Sequence, residues 1–201
     1  MELISFQIGN VFDVSQTEGE PLPELGVEEL KGNVKDYGIF FQALREVSPV
    51  PIRFEPMSGR KKGYYHLDEK RIAIKEGVSE LQAVKTAVHE ISHAKLHDPD
   101  TLKKQRIQVK IRNENTMEVQ AESVAYVVSK YYGLDASEYS FAYIAGWGSG
   151  REMKELKASL KTIQKTAYGL ITDLDAKFLE LRKRFGKIPT VNQDRSIQKR
   201  I

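Results

Sequence analysis

The sequence predicts an α+β fold: a small antiparallel or mixed sheet packed on a pair of helices, with a helical extension at the C-terminus. Three observations predict it. Residues 51–55, 64–67 and 71–74 alternate apolar and polar side chains, the period of a half-buried strand. Two later stretches, one following Ser79 and one over residues 116–132, carry apolar residues every three or four positions, the period of a helix with one buried face. A third such stretch fills residues 151–185, where Leu156, Leu160, Ile163, Ala167, Leu170, Leu174 and Phe178 form one stripe. At 201 residues, 40% hydrophobic and 29% charged, the chain suits one globular domain with an appendage.

Taken in order, residues 1–26 read as an extended arm. Gly9, Gly19, Pro21, Pro23 and Gly26 interrupt any period there, and only Val11, Phe12 and Val14 suggest a short strand. Residues 27–150 read as the main domain. Its first helix lies in the second half of residues 27–47, where Val34, Tyr37, Phe40, Phe41 and Leu44 share a face, and Ser48-Pro49 stops it. After the strand at 51–55, Gly59-Arg60-Lys61-Lys62-Gly63 is a basic turn. The strands at 64–67 and 71–74 then form a hairpin around Asp68-Glu69-Lys70. In the next helix Ser79 and Gln82 have the spacing of a capping box, and Leu81, Val84, Val88, Ile91 and Leu96 make the apolar stripe. Asp98-Pro99 ends that helix, and residues 98–113 read as a basic loop. The helix at 116–132 stops at Gly133, a residue suited to the position after a helix end. Tyr139, Phe141, Tyr143, Ile144 and Trp147 read as core residues closing the domain. Residues 151–185 form the long amphipathic helix, and residues 186–201, which lack a hydrophobic period, a disordered basic tail.

The chemistry concentrates in the helix after Ser79, which reads His89-Glu90-Ile91-Ser92-His93. Positions i and i+4 lie on one helix face, one turn apart, so two imidazoles can point at one metal ion. Glu90 stands about 100° round the helix from His89. From there its carboxylate reaches a metal-bound water without ligating the metal, the division of labour that zinc hydrolysis requires. Two histidines do not complete a zinc site. His97 is one candidate for the third ligand, but three histidines at i, i+4 and i+8 on a straight helix span about 12 Å. Zn–N bonds of about 2.0–2.1 Å exclude that arrangement. A carboxylate on the following helix is the other candidate. Glu118 and Glu122 share a face there, with small Ala121 and Ala125 permitting close approach. Glu118 is assigned as third ligand, with the swapped assignment as the alternative. Glu122 and His97 are assigned to hydrogen-bond the ligand histidines.

With those residues in view, a resemblance becomes apparent. His89-Glu90-x-x-His93-x-x-x-His97 followed by Glu118-x-x-Ala121 resembles the ImmA/IrrE-type gluzincin metallopeptidases. The closer resemblance is to the C-terminal zincin domain of ArdC- and LtrC-like proteins of mobile genetic elements. It is carried by Val11-Phe12-Asp13-Val14-Ser15-Gln16-Thr17-Glu18-Gly19, by Tyr143-Ile144-Ala145-Gly146-Trp147 and by the helix beyond. The resemblance spans about residues 5 to 180. It implies a zincin-like fold and a metallopeptidase holding one Zn²⁺ per chain on His89, His93 and Glu118, with Glu90 as general base. It further implies an edge strand over the cleft that binds a peptide as an added strand. The expected substrate is a specific protein in a mobile-element or stress and regulatory setting. Candidates for oxyanion or substrate contact are Tyr65, His66, Ile72, Tyr126 and Tyr143. In the larger relatives a domain that binds single-stranded DNA precedes the zincin domain. The competing expectation is therefore an anti-restriction or DNA- or protein-binding module with a structural metal, although a structural site has no need of Glu90.

Composition narrows the setting. The chain has no cysteine, so it has neither disulfides nor thiolate metal sites. No basic-then-apolar leader and no run of about 18 apolar residues is present, which points to a cytoplasmic protein with no membrane partner. Charge is uneven: from Arg151 onward 13 Lys and Arg face 6 Asp and Glu, against a net +3 for the whole chain. That excess makes nucleic acid a candidate partner, but no groove-reading motif accompanies it, and a solvated basic face accounts for it more simply.

Overall fold

The computed structural model describes residues 29–104, 114–136 and 153–185. The arm at 1–26, the aromatic stretch with Tyr143 and Trp147, most of the 98–113 linker and the tail lie outside them. In chain order the elements are α1 (Tyr37–Val47), β1 (Ile52–Glu55), β2 (Gly63–His66), β3 (Arg71–Lys75), α2 (Glu80–Leu96), α3 (Pro99–Lys104), α4 (Glu114–Tyr131) and α5 (Met153–Phe185). The predicted α+β class is the observed one. The sheet has the order β1-β3-β2, with β1 parallel and β2 antiparallel to β3. It is therefore mixed, and β2 is an edge strand. Among the described residues no helix is long and apolar enough to cross a membrane.

Helix α2 is the spine. Val84, Ala87, Val88 and Ile91 are fully buried between the sheet, α4 and α1. The helix is not the simple amphipathic one that the stripe suggests, because Gln82, Lys85, Thr86, Glu90 and Ser92 are buried too. Buried polar groups must be paired, and several of their partners are distant in sequence. Gln82 shows this at the helix start. Ser79 Oγ accepts the Gln82 N–H at 3.1 Å, as a capping box requires. The Gln82 side chain does not return the bond. Its amide oxygen takes the Leu30 N–H, its amide nitrogen donates to Thr86 Oγ1, and the Ser79 N–H goes to Glu29 instead.

The end of α2 corrects another expectation. Pro99 does stop α2, whose last turn closes with the His97 N–H on the His93 carbonyl. Residues 99–104 are then helix rather than loop. Proline is well placed at the first position of a helix, and Asp98 Oδ1 caps it by accepting the Asp100 N–H at 3.0 Å. Helix α4 ends as expected: Gly133 has φ 72°, and Leu134 and Gly133 donate back to Ser129 and Lys130 in a Schellman motif.

Helix α5 packs along α1 and α4 through Ile163, Ala167, Leu170, Leu174 and Leu181, all in the same buried cluster as α2. Leu160, assigned to the stripe, is 53% exposed. Polar contacts hold the helix from outside. Tyr131 and Tyr132 donate to Asp175, Lys177 lies 3.4 Å from Glu46, and Arg182 lies 3.2 Å from Asp36.

Candidate metal centre

The site lies where α2 and α4 run side by side. The i,i+4 spacing on α2 turns His89 and His93 toward α4, and fully buried Ala121 and Ala125 on α4 allow the two backbones to approach. His89 Nε2 and His93 Nε2 are 3.1 Å apart. Glu118 Oε2 lies 3.5 Å from the first, and Glu118 Oε1 lies 3.3 Å from the second. Ligands about 2.0–2.1 Å from a tetrahedral zinc stand about 3.3 Å from one another. The nitrogen pair is close to that edge length, and the carboxylate presents one oxygen to each ring. The two ring nitrogens and the carboxylate converge on one point, and His89, His93 and Glu118 form the His/Asp/Glu cluster able to hold a cation among the described residues. The donor set, two imidazoles and one carboxylate with no sulfur, suits zinc and also admits other divalent ions.

The electrostatics without metal describe the same point from the other side. Burial pushes the His89 imidazole down, but Glu118 and Glu122 outweigh it and hold it up to about 9. His89 holds the Glu118 carboxyl far below the usual carboxylate range, with His93 adding to the effect. A cation bound between these groups would require His89 to give up any proton it carries.

Behind these three residues the side chains are ordered in depth. His89 Nδ1 is buried 3.0 Å from Glu122 Oε2, close but not aligned as a hydrogen bond. The same carboxylate oxygen accepts from Lys85 Nζ at 2.7 Å, and both side chains are almost fully buried. Burial pushes the Glu122 carboxyl up, but His89 and Lys85 together bring it down to about 2. Burial likewise pulls the Lys85 ammonium down, and Glu122 opposes it. On the other ligand, His93 Nδ1 lies 3.0 Å from His97 Nδ1, and His97 Nε2 lies 3.0 Å from Gln120 Oε1. Gln120 Nε2 then donates to Ser159 Oγ of α5 at 3.1 Å. Burial pushes the His97 imidazole down to about 4, so it is neutral at ordinary pH.

A cleft of about 580 Å³ opens over this point. Glu90, 8% exposed, lines it beside the three converging residues. Tyr65 lines it as well, but its hydroxyl donates to Asp98 Oδ2 at 2.7 Å. Among the described residues, His66, Ile72 and Tyr126 do not line it. His66 Nδ1 accepts the Glu69 N–H in the hairpin turn. Ile72 is fully buried on β3, the central strand, so the candidate substrate contact at Ile72 is corrected to a core residue. Tyr143 lies outside the described residues. Lys85, Gln120 and Ser159 are the participants that sequence reasoning missed. Lys85 had a readable signal, since it stands one turn before His89 on the same face. Ser159 had none, because its place depends on how α5 folds back.

The fold and site together define an α+β domain in which two histidines and one glutamate are placed to hold a cation at an open cleft. The chain belongs to the peptidase M78 family, described as the IrrE N-terminal-like domain, whose model matches residues 45–168. It is also similar to a protein of Bacillus anthracis described as uncharacterized. The two are 28% identical over 191 residues, covering 86% of this chain and 31% of the relative. The chain thus spans about a third of the length of the curated relative it matches. No solved structure gives a significant match.

Proposed function

We propose that the chain is a zinc-dependent metalloendopeptidase domain that hydrolyses a peptide bond in a specific protein. The observation that carries the reading is the convergence of His89, His93 and Glu118 on one place able to hold a cation, with buried Glu90 beside it in the cleft. Membership of a peptidase family supports it and implies a protein substrate. Zinc bound there would polarise the scissile carbonyl and bring the pKa of its water towards 7. The remaining work falls to the chain's own side chains. His89, His93 and Glu118 hold the ion. Glu90 takes the proton from the attacking water and returns it to the leaving amine. Glu122 and His97 fix the ring orientations of His89 and His93. The outer edge of β2 offers unpaired backbone groups to an extended peptide. The resemblance to ArdC- and LtrC-like zincin domains supports a role in a mobile-element or regulatory programme, with residues 27–150 as the catalytic part.

Metal content and two variants test this. Wild type and Glu90→Gln are expected to carry about one zinc per chain, and Glu118→Ala to lose most of it. Glu90→Gln should lower peptide hydrolysis by at least about 100-fold, the range for a positioned general base. A Glu90→Gln protein that keeps its biological effect would sink the peptidase reading in favour of a binding module whose metal is structural.

A further inference from the structure

The cleft has a basic rim whose role the metal centre does not explain. Arg60, Lys61 and Lys62 immediately precede β2 and line the cleft with Tyr64. Three carboxylates line the cleft as well: Glu118 against the two histidines, Glu122 paired with Lys85, and Glu90, which is buried. Lys62 is held by Glu29 at 2.7 Å. Lys61 differs. It is exposed, its Nζ lies 4.7 Å from the centre of the Tyr64 ring, and among the described residues it makes no ion pair.

The rim is fixed against the reactive helix rather than loosely solvated. A Cβ on Gly63 would meet Thr86 Cγ2 at 2.5 Å and the Ala73 carbonyl oxygen at 2.8 Å, so β2 begins pressed onto α2 one turn before His89 and Glu90. The Lys62 carbonyl accepts the Lys75 N–H at 2.8 Å, and Lys75 Nζ reaches back to the Gly59 carbonyl at 2.9 Å. The backbone carrying Lys61 is thereby tied at both ends. An extended peptide laid along β2 advances about 3.3 Å per residue, so side chains near the reacting bond come within reach of this rim. A divalent ion at the centre would offset the carboxylates of the cleft, leaving the basic rim to draw in negative charge.

We propose that the cleft selects acidic peptides, with Asp or Glu within about three residues of the scissile bond read by Lys61 and Arg60. The proposal rests on the metallopeptidase reading and deepens it to a substrate class. Each exposed charge pair is worth roughly two- to fivefold in affinity, so two Glu in place of two Lys should change binding at least about tenfold at low salt.

Peptide hydroxamates provide the probe, because the chelating group anchors on bound metal whatever the side chains. Two series, extending to either side of the chelator, would carry two Glu, two Gln or two Lys. Their binding to zinc-loaded protein would be measured by fluorescence anisotropy at about 50 and 500 mM salt. The expected order in one or both series is Glu tighter than Gln tighter than Lys, compressed at high salt. Lys61→Glu and Arg60→Glu should flatten or invert it. Equal binding by all three peptides, or a Glu preference that survives both substitutions, overturns acidic selection while leaving the metal centre intact. Failure of zinc uptake, or zinc-loaded protein that binds no hydroxamate, overturns the peptidase reading and this proposal with it.

Discussion

If His93 Nε2 faces an ion, the direction of every hydrogen behind it is set. His93 Nδ1 then carries the proton and donates to His97 Nδ1. His97 must hold its own proton on Nε2, which donates to Gln120 Oε1, and the Gln120 amide donates to Ser159 Oγ. The chain runs without conflict only in this sense, and it requires a neutral His97, which burial secures. Losing a partner behind a metal ligand costs about 10–100-fold in affinity. His97→Phe and Gln120→Leu are therefore expected to weaken zinc binding by that factor in a chelator competition, with Ser159→Ala costing less. Unchanged affinity in His97→Phe would reduce the chain to packing. Part of this was legible in the sequence. His89, Glu90 and His93 are readable because 3.6 residues per turn fixes their relative directions. The same rule pairs Glu118 with Glu122, and bond lengths alone exclude His97 as a third ligand on a straight helix. Gln120 and Ser159 were not readable, since their roles depend on contacts 23 and 39 residues apart.

At the level of elements, the hairpin and its glycine decide where the cleft wall stands. Gly63 is needed for close approach, because any Cβ there collides with a side chain on α2 and with a backbone oxygen on β3. The Thr86 methyl can turn aside, but the Ala73 carbonyl is held in the sheet. Gly63→Ala should therefore cost about 1–3 kcal/mol, the range for overpacking, read as a lowered midpoint in urea. Adding Thr86→Ser should recover only part of it, and complete recovery would show that the backbone contact yields. The hairpin itself was legible from alternation around Asp68-Glu69-Lys70, and the antiparallel pairing follows from so short a connection. The parallel β1–β3 pairing was left open, because alternation does not encode strand direction. Pro99 shows a different limit. Proline both stops one helix and starts another, and only the Asp98 side chain capping the next turn distinguishes a loop from α3.

For the molecule as a whole, the question is whether α5 is an appendage or part of the folding unit. Its periodicity was plain in the sequence, but a stripe of leucines does not say what it covers. In the structure Leu170, Leu174 and Leu181 are almost fully buried in one cluster with Leu44 of α1, Ile91 of α2 and Val124 of α4. Ser159, on the same helix, is joined to His93 through Gln120 and His97. The family match ends at residue 168, inside α5 and before Leu170, Leu174 and Leu181. The core that steadies α2 and α4 is thus completed by residues beyond the matched region. Leu174→Ala should destabilise the metal-free protein by about 2–5 kcal/mol, as burial and cavity formation dictate. Leu160→Ala, at a position 53% exposed, should stay within about 0.5 kcal/mol. If α5 belongs to the folding unit, Leu174→Ala will lower a single cooperative transition followed both by circular dichroism and by zinc release. Two separate transitions, with zinc retained through the first, would make α5 an independent appendage and confine the working domain to the helices and sheet before it.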